Sequence, residues 1–189
     1  LSPKSTTLVV GHMKELLRQG LAAYQDLSFV TQEPQLGTGH ALLQTAGILE
    51  RQSGLVLLLS GDVPLLRRHT LADLVEKHRE SQAAATVLSA LVERPYGYGR
   101  IVRNEQGDVL GIVEEKDASP EQREICEVNT GILLAPTDKL REWLAKLQNN
   151  NSQREYYLTD IVGMAVQQGV AVHTVQPAHE WEIHGVNSK

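Results

Sequence analysis

Hydrophobic residues along this chain alternate between short unbroken runs and runs spaced three and four apart, the signature of strands interleaved with helices. Thr7-Leu8-Val9-Val10, stopped by Gly11, reads as a short buried strand. Met13, Leu16, Leu17, Leu21 and Tyr24 then recur at helical spacing, with Gly20 weakening the last turn. Leu27 to Thr31 is a second strand, and after Pro34 and Gly37 the side chain of Thr38 offers an N-cap for a helix expected to reach about Arg51. Leu55 to Ser60 is apolar on consecutive residues, which predicts a central strand covered on both faces. A helix from Thr70 to about Glu80 groups Leu71, Leu74, Val75 and His78, and Ala84 to Val92 follows as a strand.

The middle of the chain changes character. Gly97, Gly99 and Gly107 punctuate two strands, Arg100 to Arg103 and Val109 to Glu114, whose connection Asn104-Glu105-Gln106-Gly107-Asp108 predicts a hairpin. A short polar helix near Pro120 to Glu124, a strand from Glu127 to Ala135, helices from Thr137 to Leu147 and from Thr159 to Gln168, and a strand from Val170 to Gln176 complete the order. Strand–helix alternation of this kind predicts an α/β domain of three layers with right-handed crossovers, and nothing in the pattern marks an internal repeat or a domain boundary.

Composition narrows what such a domain does. At 189 residues, 41% hydrophobic and 22% charged, the chain suits one globular domain with a core of its own. Its longest apolar run, Leu55 to Leu59, is far shorter than the roughly 18 to 20 residues that span a bilayer, so no membrane partner is expected. The net charge of −5 comes with no basic stripe, which argues against a nucleic-acid groove. Backbone N–H groups and a metal ion would still hold a small phosphate. The single cysteine, Cys126, fits a reducing compartment.

Several residues carry candidate chemistry. Asp62, in Leu59-Ser60-Gly61-Asp62-Val63-Pro64, follows a buried strand at the sheet's carboxyl edge, where open α/β sheets bind their ligands. It reads either as an oxygen ligand for a hard divalent cation or as the cap of a turn before Pro64. Gln35-Leu36-Gly37-Thr38-Gly39-His40 sets two glycines around a hydroxyl at a helix start, either to face a ligand's oxygens or to shape a tight entry turn. One of Glu114 and Glu115 would face a cleft, because neighbours on a strand point to opposite faces. Asn129, in Val128-Asn129-Thr130-Gly131, offers an amide to sugar hydroxyls or to a neighbouring loop. Tyr156-Tyr157-Leu158-Thr159-Asp160 reads as aromatic packing ahead of an N-cap. No nucleophile elbow, Ser-His-Asp set or zinc spacing is present, which disfavours a covalent hydrolase and a zinc site.

Taken in order, Val9-Val10-Gly11-His12, Gln32 with Gln35-Leu36-Gly37-Thr38-Gly39-His40-Ala41, Gly61-Asp62-Val63-Pro64-Leu65, Tyr98-Gly99-Arg100-Ile101, Ile112-Val113-Glu114 with Lys116-Asp117, Val128-Asn129-Thr130-Gly131, Asn149-Asn150-Asn151, Glu155-Tyr156-Tyr157-Leu158-Thr159-Asp160 and Gly185-Val186-Asn187 span essentially the whole chain. That series is similar to the N-terminal uridylyltransferase domain of the bacterial bifunctional N-acetylglucosamine-1-phosphate uridylyltransferase/glucosamine-1-phosphate acetyltransferases. The resemblance implies a three-layer Rossmann-like fold with a mostly parallel mixed sheet and a β-hairpin inserted over the sugar site. It implies Mg²⁺ held by Asp62 and Asn187, and Gln32, Gly37 and Thr38 around the uracil nucleoside. Ser60 and Gly61 would line the nucleotide beside Asp62, and Gly99, Glu114 and Asn129 would surround the N-acetylglucosamine moiety. The implied reaction joins UTP and N-acetylglucosamine 1-phosphate into UDP-N-acetylglucosamine and pyrophosphate, in the cytoplasm, for cell-wall and lipopolysaccharide synthesis.

By the same resemblance, residues 1–189 are a partial nucleotidyltransferase domain. The resemblance implies that the family's first strand and glycine-rich phosphate loop are absent from it, as is the β-helix acetyltransferase domain through which the full-length protein would trimerise, so activity is expected only with the upstream residues present. A non-catalytic nucleotide-sugar binding fragment, and a sugar-1-phosphate nucleotidyltransferase of another base or sugar, are the alternatives.

Overall fold

The computed structural model describes residues 1–186. In chain order the elements are β1 (Thr6–Val10), α1 (Lys14–Gly20), β2 (Leu27–Thr31), α2 (Thr38–Leu43), α3 (Ala46–Leu49), β3 (Leu55–Leu58), α4 (Arg68–Ser81), β4 (Ala85–Leu91), β5 (Arg100–Arg103), β6 (Val109–Val113), α5 (Pro120–Arg123), β7 (Glu127–Pro136), α6 (Thr137–Leu144), α7 (Asp160–Gln167) and β8 (Val172–Val175). A 3₁₀ turn at Glu180–Ile183 closes them.

The spine of the molecule is β7. Along one edge it pairs antiparallel with β4, and along the other it pairs with β5 at its start, Arg100 opposite Val128, and with β3 at its end, Leu58 opposite Leu133. Both faces of β7 are covered, so its side chains alternate between two cores. Leu133 and Ala135 join Trp143 and Leu140 of α6 and Ile161 and Val162 of α7. Ile132 and Leu134 join Leu74 of α4, Leu88 of β4 and Ile183. Helix, sheet and helix make the expected three layers. The sheet is mixed: β3, β4, β5 and β8 run one way and β6 and β7 the other, so β4 with β8 is its parallel pair while the remaining described ladders are antiparallel.

The predicted hairpin is present. β5 and β6 pair antiparallel, and their turn is closed by Asn104, which exchanges backbone bonds with Gly107 and Asp108 while its Oδ1 accepts the Asp108 N–H at 2.7 Å. Gly107 sits at φ +88°, a conformation in which a side chain would be strained.

Four expectations need correction. The helix drawn from Thr38 to Arg51 is two short helices, because the Thr45 hydroxyl donates back to the Leu42 carbonyl at 2.7 Å and the backbone restarts there. The cap of α2 is Gly37 and not Thr38, with Gly37 at φ +99°. The Leu55–Ser60 run is hydrogen-bonded on the β7 side and ends at Leu58, leaving Leu59 54% exposed rather than covered on both faces. Helix α1 buries none of its residues, and β1 and β2 form a separate two-stranded parallel sheet. Among the histidines, His78 is a core residue: its Nδ1 lies 2.9 Å from Thr86 Oγ1, and burial holds its pKa below the ordinary value.

Candidate active site

The break between β5 and β3 on the edge of β7 is where the candidate residues meet. There β7 carries a bulge. The Thr130 hydroxyl donates to the Leu88 carbonyl at 2.7 Å, Gly131 turns to φ +78° with its N–H on Asn129 Oδ1 at 3.1 Å, and the ladder to β4 shifts register between Val87 and Ser89. The chain leaving β3 passes over this bulge. A Cβ on Gly131 would lie 2.6 Å from Ser60 Oγ, so glycine is what lets the Ser60-Gly61-Asp62 loop close on β7.

Gly99, Glu114 and Asn129 occupy a single cross-strand row. Arg100 pairs with Val113 on β6 and with Val128 on β7, and one step further in the same antiparallel register Gly99 stands between Glu114 and Asn129. The contacts agree: Asn129 N–H donates to the Gly99 carbonyl at 2.8 Å, and a Cβ on Gly99 would sit 3.4 Å from Glu114 Oε2. Three residues far apart in sequence are thus assembled by register alone.

The surroundings of Glu114 are acidic. Thr159 Oγ1 donates to its Oε1 at 2.8 Å. Burial pushes its carboxyl above the ordinary range, the Thr159 bond works the other way, and the charges of Asp117 and Glu155 add to the rise. Asp160 is raised as well, by burial and then by Glu114 and Asp117. Burial also opposes ionised Asp117, but the Ser152 N–H at 3.0 Å and the Tyr157 hydroxyl at 3.0 Å outweigh it and hold Asp117 below its ordinary value.

A second group forms around the glycine turn. Gln32 Nε2 donates to the Gly37 carbonyl at 2.9 Å and lies 3.1 Å from His40 Nδ1. Thr38 Oγ1 accepts the Leu158 N–H at 3.2 Å, the Gly39 N–H goes to Tyr156 O at 2.8 Å, and the Tyr156 N–H goes to Leu36 O at 2.8 Å. Both glycines are sterically required: a Cβ on either Gly37 or Gly39 would come within 2.8 Å of Tyr156 O. Leu158 belongs to this group and its neighbour Thr159 to the Glu114 group, so segment 155–159 links the two.

Asp62 is exposed, and the hydrogen bond described at it is made by its carbonyl, which accepts the Val186 N–H at 2.7 Å. Its carboxylate caps no backbone N–H among the described residues. Asn187 lies outside the described residues.

Pattern reading missed two contributors. Thr159 was expected to cap α7; its hydroxyl instead serves Glu114, and α7 has no side-chain cap. Arg100 is 1% exposed beneath the row and pairs with Glu115 at 2.7 Å. The adjacent carboxylates 114 and 115 were the available signal, since one of them had to face away from the cleft.

The family model described as Nucleotidyl transferase matches residues 7–184. Aligned over all of this chain are proteins named Bifunctional protein GlmU from Paraburkholderia phytofirmans (52% identical), Janthinobacterium sp. strain Marseille (52%) and Pseudomonas putida (48%). The chain spans about two fifths of these relatives, 41%, 41% and 40% of their lengths. Among solved structures, a UDP-glucose pyrophosphorylase complexed with UDP-glucose superposes with a TM-score of 0.65 at 16% identity, over 90% of this chain and 73% of that one, a likeness of fold. The match across residues 7–184 and the half-identity of relatives over the whole chain place this protein in the nucleotidyl transferase family.

Proposed function

We propose that this chain is the larger part of a domain that transfers the uridylyl group of UTP to N-acetylglucosamine 1-phosphate, giving UDP-N-acetylglucosamine and pyrophosphate in the cytoplasm. The observation that carries the reading is the single row Glu114–Gly99–Asn129, in register beside the Ser60-Gly61-Asp62 loop. The relatives of about half-identity named Bifunctional protein GlmU support it.

The roles follow from the donors and acceptors each position offers. Glu114 accepts from sugar hydroxyls, the Asn129 side chain donates and accepts, and the Gly99 peptide lets a sugar approach where any side chain would intrude. Gln32, Gly37 and Thr38 read the uracil nucleoside, and Ser60 and Gly61 line the nucleotide. With both substrates held, a phosphate oxygen of N-acetylglucosamine 1-phosphate attacks the α-phosphorus of UTP in line. The bond to the β-phosphate breaks, and its electron pair leaves on pyrophosphate; no protein nucleophile is consumed.

The donor set fits a hard divalent cation: Asp62 is an exposed carboxylate free of a capping role among the described residues, and Asn187 would add an amide oxygen. No group of three His, Cys, Asp or Glu suited to a metal exists among the described residues, so phosphate oxygens and water would complete the sphere. When bound, Mg²⁺ would offset charge on the transferring phosphoryl group and align the reactants. In the whole protein, this reading places the glycine-rich phosphate loop upstream of Leu1 and a trimer-forming acetyltransferase domain downstream.

The test is pyrophosphate release from UTP and N-acetylglucosamine 1-phosphate with Mg²⁺, run on this chain and on the chain preceded by a relative's glycine-rich segment. Release with that pair, and little with dTTP or glucose 1-phosphate, is the expected result. No release from the extended chain would end the enzyme reading.

A further inference from the structure

The row Glu114–Gly99–Asn129 lies on the α6–α7 face of the sheet, and the next row, Val113–Arg100–Val128, points to the other face. Arg100 is the member of that row with reach. It is 1% exposed, yet its guanidinium holds three groups. Nη1 donates to the Tyr98 carbonyl, next to Gly99. Nη2 lies 2.7 Å from Glu115 Oε2, next to Glu114, and 3.3 Å from the Arg123 carbonyl at the end of α5. Glu115 passes the hold on, since its Oε2 also accepts the Gly97 N–H at 3.3 Å. The hydrogen bond from the guanidinium holds the Glu115 carboxyl below its ordinary range.

From this geometry we propose that Arg100 is a positioning residue for sugar recognition. It touches no substrate. By drawing Glu115 to its own face it commits Glu114, one residue back in the chain just past β6, to the opposite face, where Thr159 holds its carboxylate and Gly99 and Asn129 stand. By holding the Tyr98 carbonyl and, through Glu115, the Gly97 amide, it fixes the path of the loop that presents the Gly99 peptide. Lysine does not replace it, because one ammonium on a flexible stem does not span contacts that a planar fork makes together.

This inference rests on the sugar-site reading above, and its test separates the two. Binding of UDP-N-acetylglucosamine and of UDP is measured by calorimetry on the unmodified chain, Arg100→Lys and Glu115→Gln, with amide ¹H–¹⁵N shifts of Gly97 and Gly99 recorded without ligand. Misplacing the row should weaken UDP-N-acetylglucosamine about tenfold while UDP changes less than about twofold, and should shift both glycine amides. Glu115→Gln, which leaves Arg100 in place and keeps a neutral acceptor, should show the smaller loss of the two. Equal weakening of both ligands, or lowered melting temperature with both affinities and both amides unchanged, would reduce Arg100 to a structural residue and overturn the proposal. If the unmodified chain binds neither ligand, the sugar-site reading fails, and the ligand-free glycine shifts still report whether Arg100 holds the row. Should Arg100→Lys not fold, the same ligand split and the same amides are read in Glu115→Gln alone, where unchanged values overturn the proposal.

Discussion

Glu114 is a carboxylate placed where ionisation costs something. Burial is the main cause, with Asp117 and Glu155 adding to it, so the folded protein holds this proton more tightly than the unfolded chain does. Its contribution to stability is therefore greatest below the ordinary value of 4.5 and is lost as pH rises through the higher folded value. Glu114→Gln keeps an acceptor for Thr159 and removes the charge. Its melting temperature should match the unmodified protein at pH 4 and exceed it at pH 8; a gap that narrows with rising pH would contradict the assignment. Asp62 is the opposite case, an exposed carboxylate whose proposed work is charge rather than packing. Asp62→Asn should lower turnover of the glycine-loop-extended chain by about a hundredfold or more while melting stays within about a degree. Parallel loss of activity and melting temperature would return Asp62 to a turn role.

At the scale of elements, what was legible in the sequence and what was not divide along physical lines. Strands Leu27–Thr31 and Arg100–Arg103 were readable to the residue: the first lies between the polar Asp26 and Gln32, and the second is bracketed by Gly99 and Asn104. The hairpin after Arg103 was legible from its Asn-to-Gly connection. The row Glu114–Gly99–Asn129 was not legible from the pattern: register between strands is set by pairing across the sheet, which no local window contains. The resemblance to uridylyltransferases had named the three residues, and the register supplies a reason for them to act together. The split of the helix after Leu43 was hidden for a different reason, a single threonine hydroxyl competing for a helical carbonyl. Two glycines in neighbouring helices test how far such local detail matters. Gly39→Ala drives a methyl against Tyr156 O and Leu147 Cδ1, within 2.8 Å of each, and should cost about 1–3 kcal/mol in urea unfolding. Gly47 has nothing within 4 Å, so Gly47→Ala should be neutral or stabilise by about 0.5–1 kcal/mol. The reverse ranking would show that the turn against segment 155–159 is loosely held.

Across the whole molecule, stability is unevenly spread. β4 and β7 meet over most of their length with residues such as Val87, Leu88, Val128 and Ile132 wholly enclosed. The β1–β2 sheet has Val10 as its buried member, and α1 has none while exposing Leu16 and Leu17, with Met13 exposed just before it. Local opening should follow that difference. In native-state hydrogen exchange, amides of β4 and β7 should exchange only with global unfolding, and those of β1, β2 and α1 by easier, partial openings. Equal protection in both regions would mean that the two sheets open as one unit.

The placement of β7 as spine also has a consequence in time. β3 ends at Leu58 and β4 at Leu91, yet neither pairs with the other; each waits for residues 127–136 to arrive between them. During synthesis, β3, β4 and β5, half of the sheet's six strands, would have left the ribosome with the edge that meets β7 unfilled before Pro136 emerges. Loops this long make such pairings slow to close, and an open strand edge is what chaperones shield and aggregates recruit. The strand that brings Asn129 to the cleft is therefore also the one whose arrival closes three of these edges together, with β8 still to come against β4.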